Sequence, residues 1–143
     1  MLPPSPLRED DRLGLSLVRS PPGHYDRGGT GRNPAEAELV AQYVERHVAD
    51  SPDQSLGVAC FSIAQRNAID DALYARGLTN AVEAFAPNGE RLFVKNLESV
   101  QGDERDVIFI SVGYGRDPQG RISAEAVEKR VIRRGRRGCV SRC

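Results

Sequence analysis

Val94-Lys-Asn-Leu-Glu-Ser-Val-Gln-Gly-Asp-Glu-Arg-Asp-Val-Ile-Phe-Ile-Ser-Val-Gly-Tyr-Gly115 is the stretch that decides the fold. A polar cluster around one glycine, Gln101 to Asp106, runs directly into an unbroken apolar run, Val107 to Ile110. Such a run is the pattern of a strand covered on both faces, as in the parallel sheets of α/β folds. Three carboxylates (Asp103, Glu104, Asp106) and Arg105 against the start of a buried strand are poorly placed for stability alone. They belong at the edge of a sheet, where open α/β domains bind ligands in crevices beside their strands.

Outward from this stretch, the chain alternates strands and helices. Leu92 to Val94 reads as the preceding strand, and residues 78–91 hold a short strand or turn at Val82 to Phe85 before Pro87-Asn88-Gly89. Leu56 to Phe61 is a short apolar strand. Ser62-Ile-Ala-Gln65 then starts a helix with capping-box spacing, its buried face carrying Ala68, Ile69, Ala72 and Leu73, and Gly77 ends it. Further upstream, Asn33 is an N-cap with Pro34 at the first helical position and Glu36 at capping-box spacing. Ala37, Val40, Val44 and Val48, flanked by Tyr43, form one apolar face to about residue 49. Residues 24–33 are a polar, glycine-rich loop without the Gly-Lys-Ser/Thr of a P-loop. Leu13 to Val18 alternates weakly as a strand, and residues 1–12 read as irregular. This order predicts a three-layer α/β domain with a mainly parallel sheet, lacking its own P-loop.

Composition bounds the function. The 143 residues suit one domain. No stretch approaches the roughly 20 apolar residues of a membrane span, and residues 1–20 hold no signal-peptide core. Cys60 reads as a buried core thiol, while Cys139 and Cys143 have no ligand-spaced Cys or His beside them, so no metal site, disulfide or membrane partner is expected and the default compartment is the cytoplasm. His24 and His47 have no triad or metal partners in the pattern. The zero net charge hides a segregation: seven of the 20 basic residues lie at or after Lys129, leaving a body charge of −7 in residues 1–128. A domain holding nucleic acid by a broad basic patch has the opposite balance, so any contact by the body is local and uses hydroxyls, amides and backbone N–H groups.

Leu56-Gly-Val-Ala-Cys-Phe-Ser-Ile-Ala-Gln-Arg66, followed by Val94 to Ser111, resembles the second, C-terminal RecA-like lobe of superfamily 1 DNA and RNA helicases. The nearest group is the bacterial AAA-type ATPases related to nonsense-decay and Dna2-type enzymes. Gln101-Gly102-x-Glu104-x-Asp106 looks like that family's motif V, and Tyr25 to Gly29 with Asn33, Glu36 and Ala37 resembles the segment entering the lobe. The resemblance covers residues 5–123 and implies an ATP-dependent helicase or translocase that couples hydrolysis to movement along a single strand. It implies that Gln101, Gly102 and Glu104 face the nucleotide cleft, and that Ser62, Gln65, Asn96 and Ser99 reach nucleic-acid backbone, DNA before RNA. A capping box is the alternative reading of Ser62 and Gln65, surface pairing with Arg105 or Arg66 that of Glu104, and loop-structuring that of Asp106. Arg27 in the glycine-rich loop reads as a surface charge before a phosphate ligand, and Tyr114 and Arg116 suit lining the cleft and ordering the turn at Asp117 to Gly120 equally.

The same resemblance requires a first RecA-like lobe supplying the Walker motifs, which hold ATP and Mg²⁺ and which these residues lack. The family's final arginine motif, whose finger contributes about 10³- to 10⁵-fold in related NTPases, is not matched by residues 124–143. The expected organisation is therefore an irregular segment 1–12, a lobe 13–123 and a basic off-family tail 124–143, with the chain a fragment or its frame lost near residues 123–125. No catalytic residue is assigned. Two functions follow: a second lobe active only with a first lobe, or a noncatalytic nucleic-acid-binding or pseudoenzyme fragment.

Overall fold

The computed structural model describes residues 6–10 and 15–121; the expected tail 124–143, with Cys139 and Cys143, lies outside them. Its centre is a three-stranded parallel sheet in the order β4-β3-β5, built from β3 (Leu56–Cys60), β4 (Phe93–Asn96) and β5 (Val107–Ser111). The central strand β3 is buried at all five positions, as its unbroken apolar run requires. Register places Cys60 beside both Asn96 and Ser111, so all three strands end together. The fold class is α/β with a parallel sheet, consistent with a RecA-like domain.

Helices α1 (Pro34–Asp50) and α2 (Ile63–Ala75) pack on one face of this sheet, joining Ala37, Ala41, Val44, Ala68, Ile69 and Leu73 to Leu56, Val58 and Cys60. Each buried Leu, Ile or Val contributes about 1.5–3 kcal/mol. The opposite face is covered, among the described residues, by the 97–106 connection, whose Val100 and Leu97 close over Ala59, Phe93, Ile108 and Ile110. A third layer of helix is not among those residues. Gly77 ends α2 as its spacing predicts: at φ +69° it lets its own N–H donate to the Tyr74 carbonyl and that of Leu78 to the Leu73 carbonyl. No helix among the described residues is long and apolar enough to cross a membrane.

Two segments differ from their sequence reading. Val82 to Phe85, expected as a short strand or turn, instead closes a short helix, α3 (Thr79–Ala84), with Phe85 at its C-cap. Within the segment 1–12, expected to be irregular, Pro6–Asp10 is a strand, β1, paired antiparallel with β2 (Leu15–Val18) through Glu9↔Ser16 and Asp10↔Leu15. Cross-strand pairing overrides a charged composition here, and a proline at the first strand position needs no ladder N–H.

A close contact sets the spacing of β3 and β4. Gly57 lies beside Phe93 in register, and a Cβ added to Gly57 would fall 2.3 Å from the Phe93 ring. The ring therefore lies flat over the glycine, with the Arg105 guanidinium 5.0 Å and the Lys95 ammonium 5.2 Å from its centroid. Gly57→Ala is expected to destabilise the fold by about 1–3 kcal/mol, the usual cost of overpacking, read as a lowered urea midpoint. Pairing it with Phe93→Leu should restore part of the loss; an unchanged midpoint for Gly57→Ala alone would show that the ring is free to move aside.

Candidate nucleic-acid and nucleotide-coupling site

The common C-terminal end of the three strands gathers the polar residues. Ser62 follows β3 and caps α2, its Oγ accepting the Gln65 N–H at 3.1 Å. Asn96 ends β4, and the Ser99 hydroxyl donates to its Oδ1 at 2.6 Å. Ser62 and Asn96 are half-buried and Ser99 is exposed. Since adjacent strands lie about 4.8 Å apart, Ser62, Asn96 and Ser99 share one edge.

Gln65 does not join them. Its side chain is fully buried, with Oε1 accepting the Asn33 N–H at 2.8 Å and Nε2 donating to the Asn33 carbonyl at 3.2 Å and to Ser111 Oγ at 3.4 Å. The expected backbone contact to nucleic acid is corrected by this burial: the amide is consumed by two interior main-chain groups that would otherwise be unpaired. The reciprocal half of the capping box is absent for the same reason. Glu36 likewise leaves its helix terminus; its Oε1 accepts the Ser111 hydroxyl at 2.6 Å and the Gly113 N–H at 2.8 Å. Asn33 remains the N-cap of α1, its Oδ1 accepting the Glu36 N–H. Asn33, Glu36, Gln65 and Ser111 thus lock both helix N-termini to the end of β5.

Gln101, Gly102 and Glu104 lie on the connection between β4 and β5, over the face opposite the helices. Gln101 and Glu104 are exposed, and Gly102, at φ +86°, has nothing within 4 Å of where a Cβ would sit. Only glycine takes that backbone without strain while leaving it open to close approach. The other cluster residues hold the loop: Asp103 N–H closes a turn onto the Val100 carbonyl, and its carboxylate pairs with Lys95 Nζ at 2.9 Å. Arg105 donates twice to the Arg91 carbonyl. Asp106 exchanges bonds with Ser55: its N–H donates to Ser55 Oγ at 2.9 Å, and its Oδ2 accepts the Ser55 N–H at 3.0 Å. Asp106 is therefore loop-structuring. Glu104 forms no ion pair among the described residues: Arg66 faces Asp70 instead, and Arg105 meets the main-chain carbonyl of Glu104, not its carboxylate.

The glycine-rich loop is folded on itself. Thr30 donates both its N–H and its hydroxyl to Asp26 Oδ2 at 2.7 Å, and these bonds hold the Asp26 carboxyl below the usual range. The loop lies beside the start of α2, where Gly31 approaches Ala64 and Arg32 pairs with Asp71. Arg27 is exposed. Tyr114 packs edge-on to Tyr25, and Arg116 donates to the Gly120 carbonyl, so both order the turn after β5. Among the described residues no group of three or more His, Cys, Asp or Glu is placed to hold a metal ion. His47 is buried, its Nε2 bonded to the Gln54 carbonyl. Lys95 and Ser55 are the positioning residues that sequence reasoning missed: their partners, Asp103 and Asp106, lie eight and 51 residues away, at no spacing that local pattern marks.

Comparison with known proteins places this geometry in a family. The sequence model of a family described as an AAA domain matches residues 15–130, well over half of the chain. Two proteins named as uncharacterized ATP-dependent helicases, from Mycoplasma pneumoniae and Mycoplasma genitalium, are each 39% identical over 108 residues, 70% of this chain. The chain spans about a tenth of the length of either relative.

Gln65→Leu is expected to lower stability by about 1–3 kcal/mol for each main-chain group of Asn33 left unpaired, measured by urea denaturation. No change would mean that water replaces the amide. Cys60 makes a second prediction. Burial first, then the Asp70 and Glu36 carboxylates, push its thiol up to about 12. The folded value exceeds the unfolded 9.0, so this contribution is complete below pH 9 and is lost as pH rises toward 12. Cys60→Ser, retaining a small polar group, should flatten the fall in thermal stability between pH 9 and 11; an identical alkaline slope would exclude the thiol as its source.

Proposed function

The chain belongs to the family of AAA domains, and on that premise we propose that it is the second RecA-like lobe of an ATP-dependent superfamily 1 DNA helicase or translocase of the bacterial Dna2-like group. The observation that carries the reading is the 97–106 connection. It starts at Asn96 and Ser99, passes through Gln101, Gly102 and Glu104, and is pinned by the Lys95–Asp103 pair and the Asp106–Ser55 exchange. A segment this short and this tethered moves as one piece. Nucleotide contact at its centre is thereby transmitted to the strand-facing end, which is the coupling a translocase requires.

The described residues fit one wall of an ATP site and no more. Gln101, Gly102 and Glu104 offer an amide, an open backbone and a carboxylate, whereas a phosphate cradle and a ligand set for Mg²⁺ are not among them. In this reading ATP and Mg²⁺ are held by a first RecA-like lobe from a longer or separate chain, and no hydrolytic step is assigned to the described residues. Single-stranded nucleic acid, DNA in preference to RNA, meets Ser62, Asn96 and Ser99 through neutral donors. The relatives, named as ATP-dependent helicases, support ATP-dependent helicase action, and the compartment in this reading is cytoplasmic.

The purified chain should hydrolyse no ATP, with or without single-stranded DNA. Mixed with a polypeptide carrying a first lobe, it should support DNA-stimulated turnover that Glu104→Gln lowers at least tenfold. Glu104 is exposed, so folding is not at stake. Turnover by the chain alone, or full activity of the Glu104→Gln mixture, would refute the assignment; DNA binding without turnover in any mixture would favour the noncatalytic reading. Asn96→Ala should weaken DNA binding while leaving a shallow salt dependence, because neutral contacts release few counterions.

A further inference from the structure

Two large apolar side chains are exposed among the described residues, Ile63 at 59% and Tyr74 at 78%, and both lie on α2. The buried face of that helix is made by Gln65, Ala68, Ile69 and Leu73. With 3.6 residues to the turn, Ile63 falls on the side opposite these positions, so core packing does not account for it. Tyr74 stands near the far end of α2, beside Asp70, Asp71 and Glu83, surroundings that repel a polyanion. The setting of Ile63 is different.

Ile63 is the first residue of α2 and follows the capping Ser62. Helix side chains tilt toward the helix N-terminus, so that of Ile63 leans past the start of α2 toward the edge shared by Ser62, Asn96 and Ser99. Register pairs Cys60 with Asn96, so residues 61–63 and 97–99 leave the sheet side by side. The other large apolar residues at these exits, Phe61 and Leu97, are half-buried and pack on the cluster of Ala59, Phe93 and Ile110. Ile63 is thus an exposed apolar surface next to neutral hydrogen-bonding groups. The first turn reads Ile63-Ala64-Gln65-Arg66, neutral to basic at a place where acids are usual, so a phosphate approaching Ser62 meets no carboxylate in that turn.

We propose that Ile63 is the base-contacting residue of this edge, its side chain packing against the face of an unstacked base whose sugar and phosphate meet Ser62, Asn96 and Ser99. The inference rests on the proposed reading of the edge as strand-facing and deepens it, by dividing the work between backbone and base. Charge supports the division. Residues 1–128 carry a net −7, Arg66 is paired with Asp70 and Lys95 with Asp103, so phosphate attraction supplies little affinity here. Bases are uncharged, and every base offers a flat apolar face. A contact to that face works against a negative body and tolerates any sequence, as an element that moves along a strand requires.

The test compares binding of the full chain to oligothymidylate and to an abasic oligodeoxyribose phosphate of equal length, by fluorescence anisotropy of the labelled strands. Both present the same phosphates, so the seven basic residues at or after Lys129 act equally on the two. The unaltered chain should bind oligothymidylate about fivefold or more tighter. Ile63→Ala should abolish that preference and leave the abasic affinity unchanged, whereas Asn96→Ala should weaken both strands alike. The chain has no Trp, so Ile63→Trp is a single reporter: oligothymidylate should quench its emission and the abasic strand should not. Ile63 is exposed, so neither variant puts the fold at stake. Equal binding of the two strands by the unaltered chain, a parallel loss of both affinities in Ile63→Ala, or unquenched emission from Ile63→Trp at saturation would overturn the inference while leaving the strand-facing reading in place. Failure to bind either strand would overturn both.

Discussion

A single buried amide holds the functional end of this domain together. Gln65 bonds both main-chain groups of Asn33 and the hydroxyl of Ser111. Through Asn33 it fixes the start of α1 and the exit of the glycine-rich loop. Through Ser111, and the Glu36 carboxylate bonded to the same hydroxyl, it fixes the end of β5. Each of these groups would be costly if left unpaired away from water. Gly113 shows how tight the arrangement is: a Cβ there would stand 2.9 Å from Gln65 Cγ. Helix starts, loop and strand end therefore form one rigid unit, and Ser62 projects from it without having to be positioned separately.

The opposite end of the sheet depends on a different exchange, between Ser55 and Asp106. Two reciprocal bonds and the Val107–Ser55 ladder bond clamp the entry of β5 to the entry of β3. The connection from β4 to β5 must cross the sheet in ten residues, 97–106, with only a single 3₁₀ turn, Leu97–Ser99, to shape it. It succeeds because Val100 and Leu97 bury against the sheet while Lys95 and Phe93 anchor Asp103 and Arg105. Within the cluster from Gln101 to Asp106, what remains exposed after those demands are met is Gln101, Gly102 and Glu104. Their exposure is a residue of the packing problem: every other cluster side chain has a structural partner.

Local pattern made much of this legible. The α1 and α2 starts, the Gly77 stop and the buried strands followed from caps and periodicity within a few residues of each other. The errors arose where the partner is distant. Ser-x-x-Gln has the same spacing whether glutamine turns back to its own cap or reaches Asn33, 32 residues upstream. Asp106 and Glu104 are alike in sequence, and only Ser55, 51 residues away, separates a structural acid from an exposed one. β1 is charged enough to look like coil, and its register with β2 is what makes it a strand.

The charge distribution constrains how such a site can engage a polyanion. Residues 1–128 carry a net −7, so long-range attraction works against approach, and the strand-facing edge presents hydroxyls and an amide in place of lysines. Arg66, the cation nearest Ser62 in sequence, pairs with Asp70, and Lys95 is held by Asp103. A surface of this kind holds a backbone weakly and releases it readily, since few condensed counterions are displaced. Under the proposed helicase reading, tight, salt-driven binding would hinder an element that has to step along a strand at each nucleotide cycle. The neutral edge and the exposed Glu104 lie on the same tethered connection, an arrangement that suits the proposed reading, in which this domain contributes displacement more than grip.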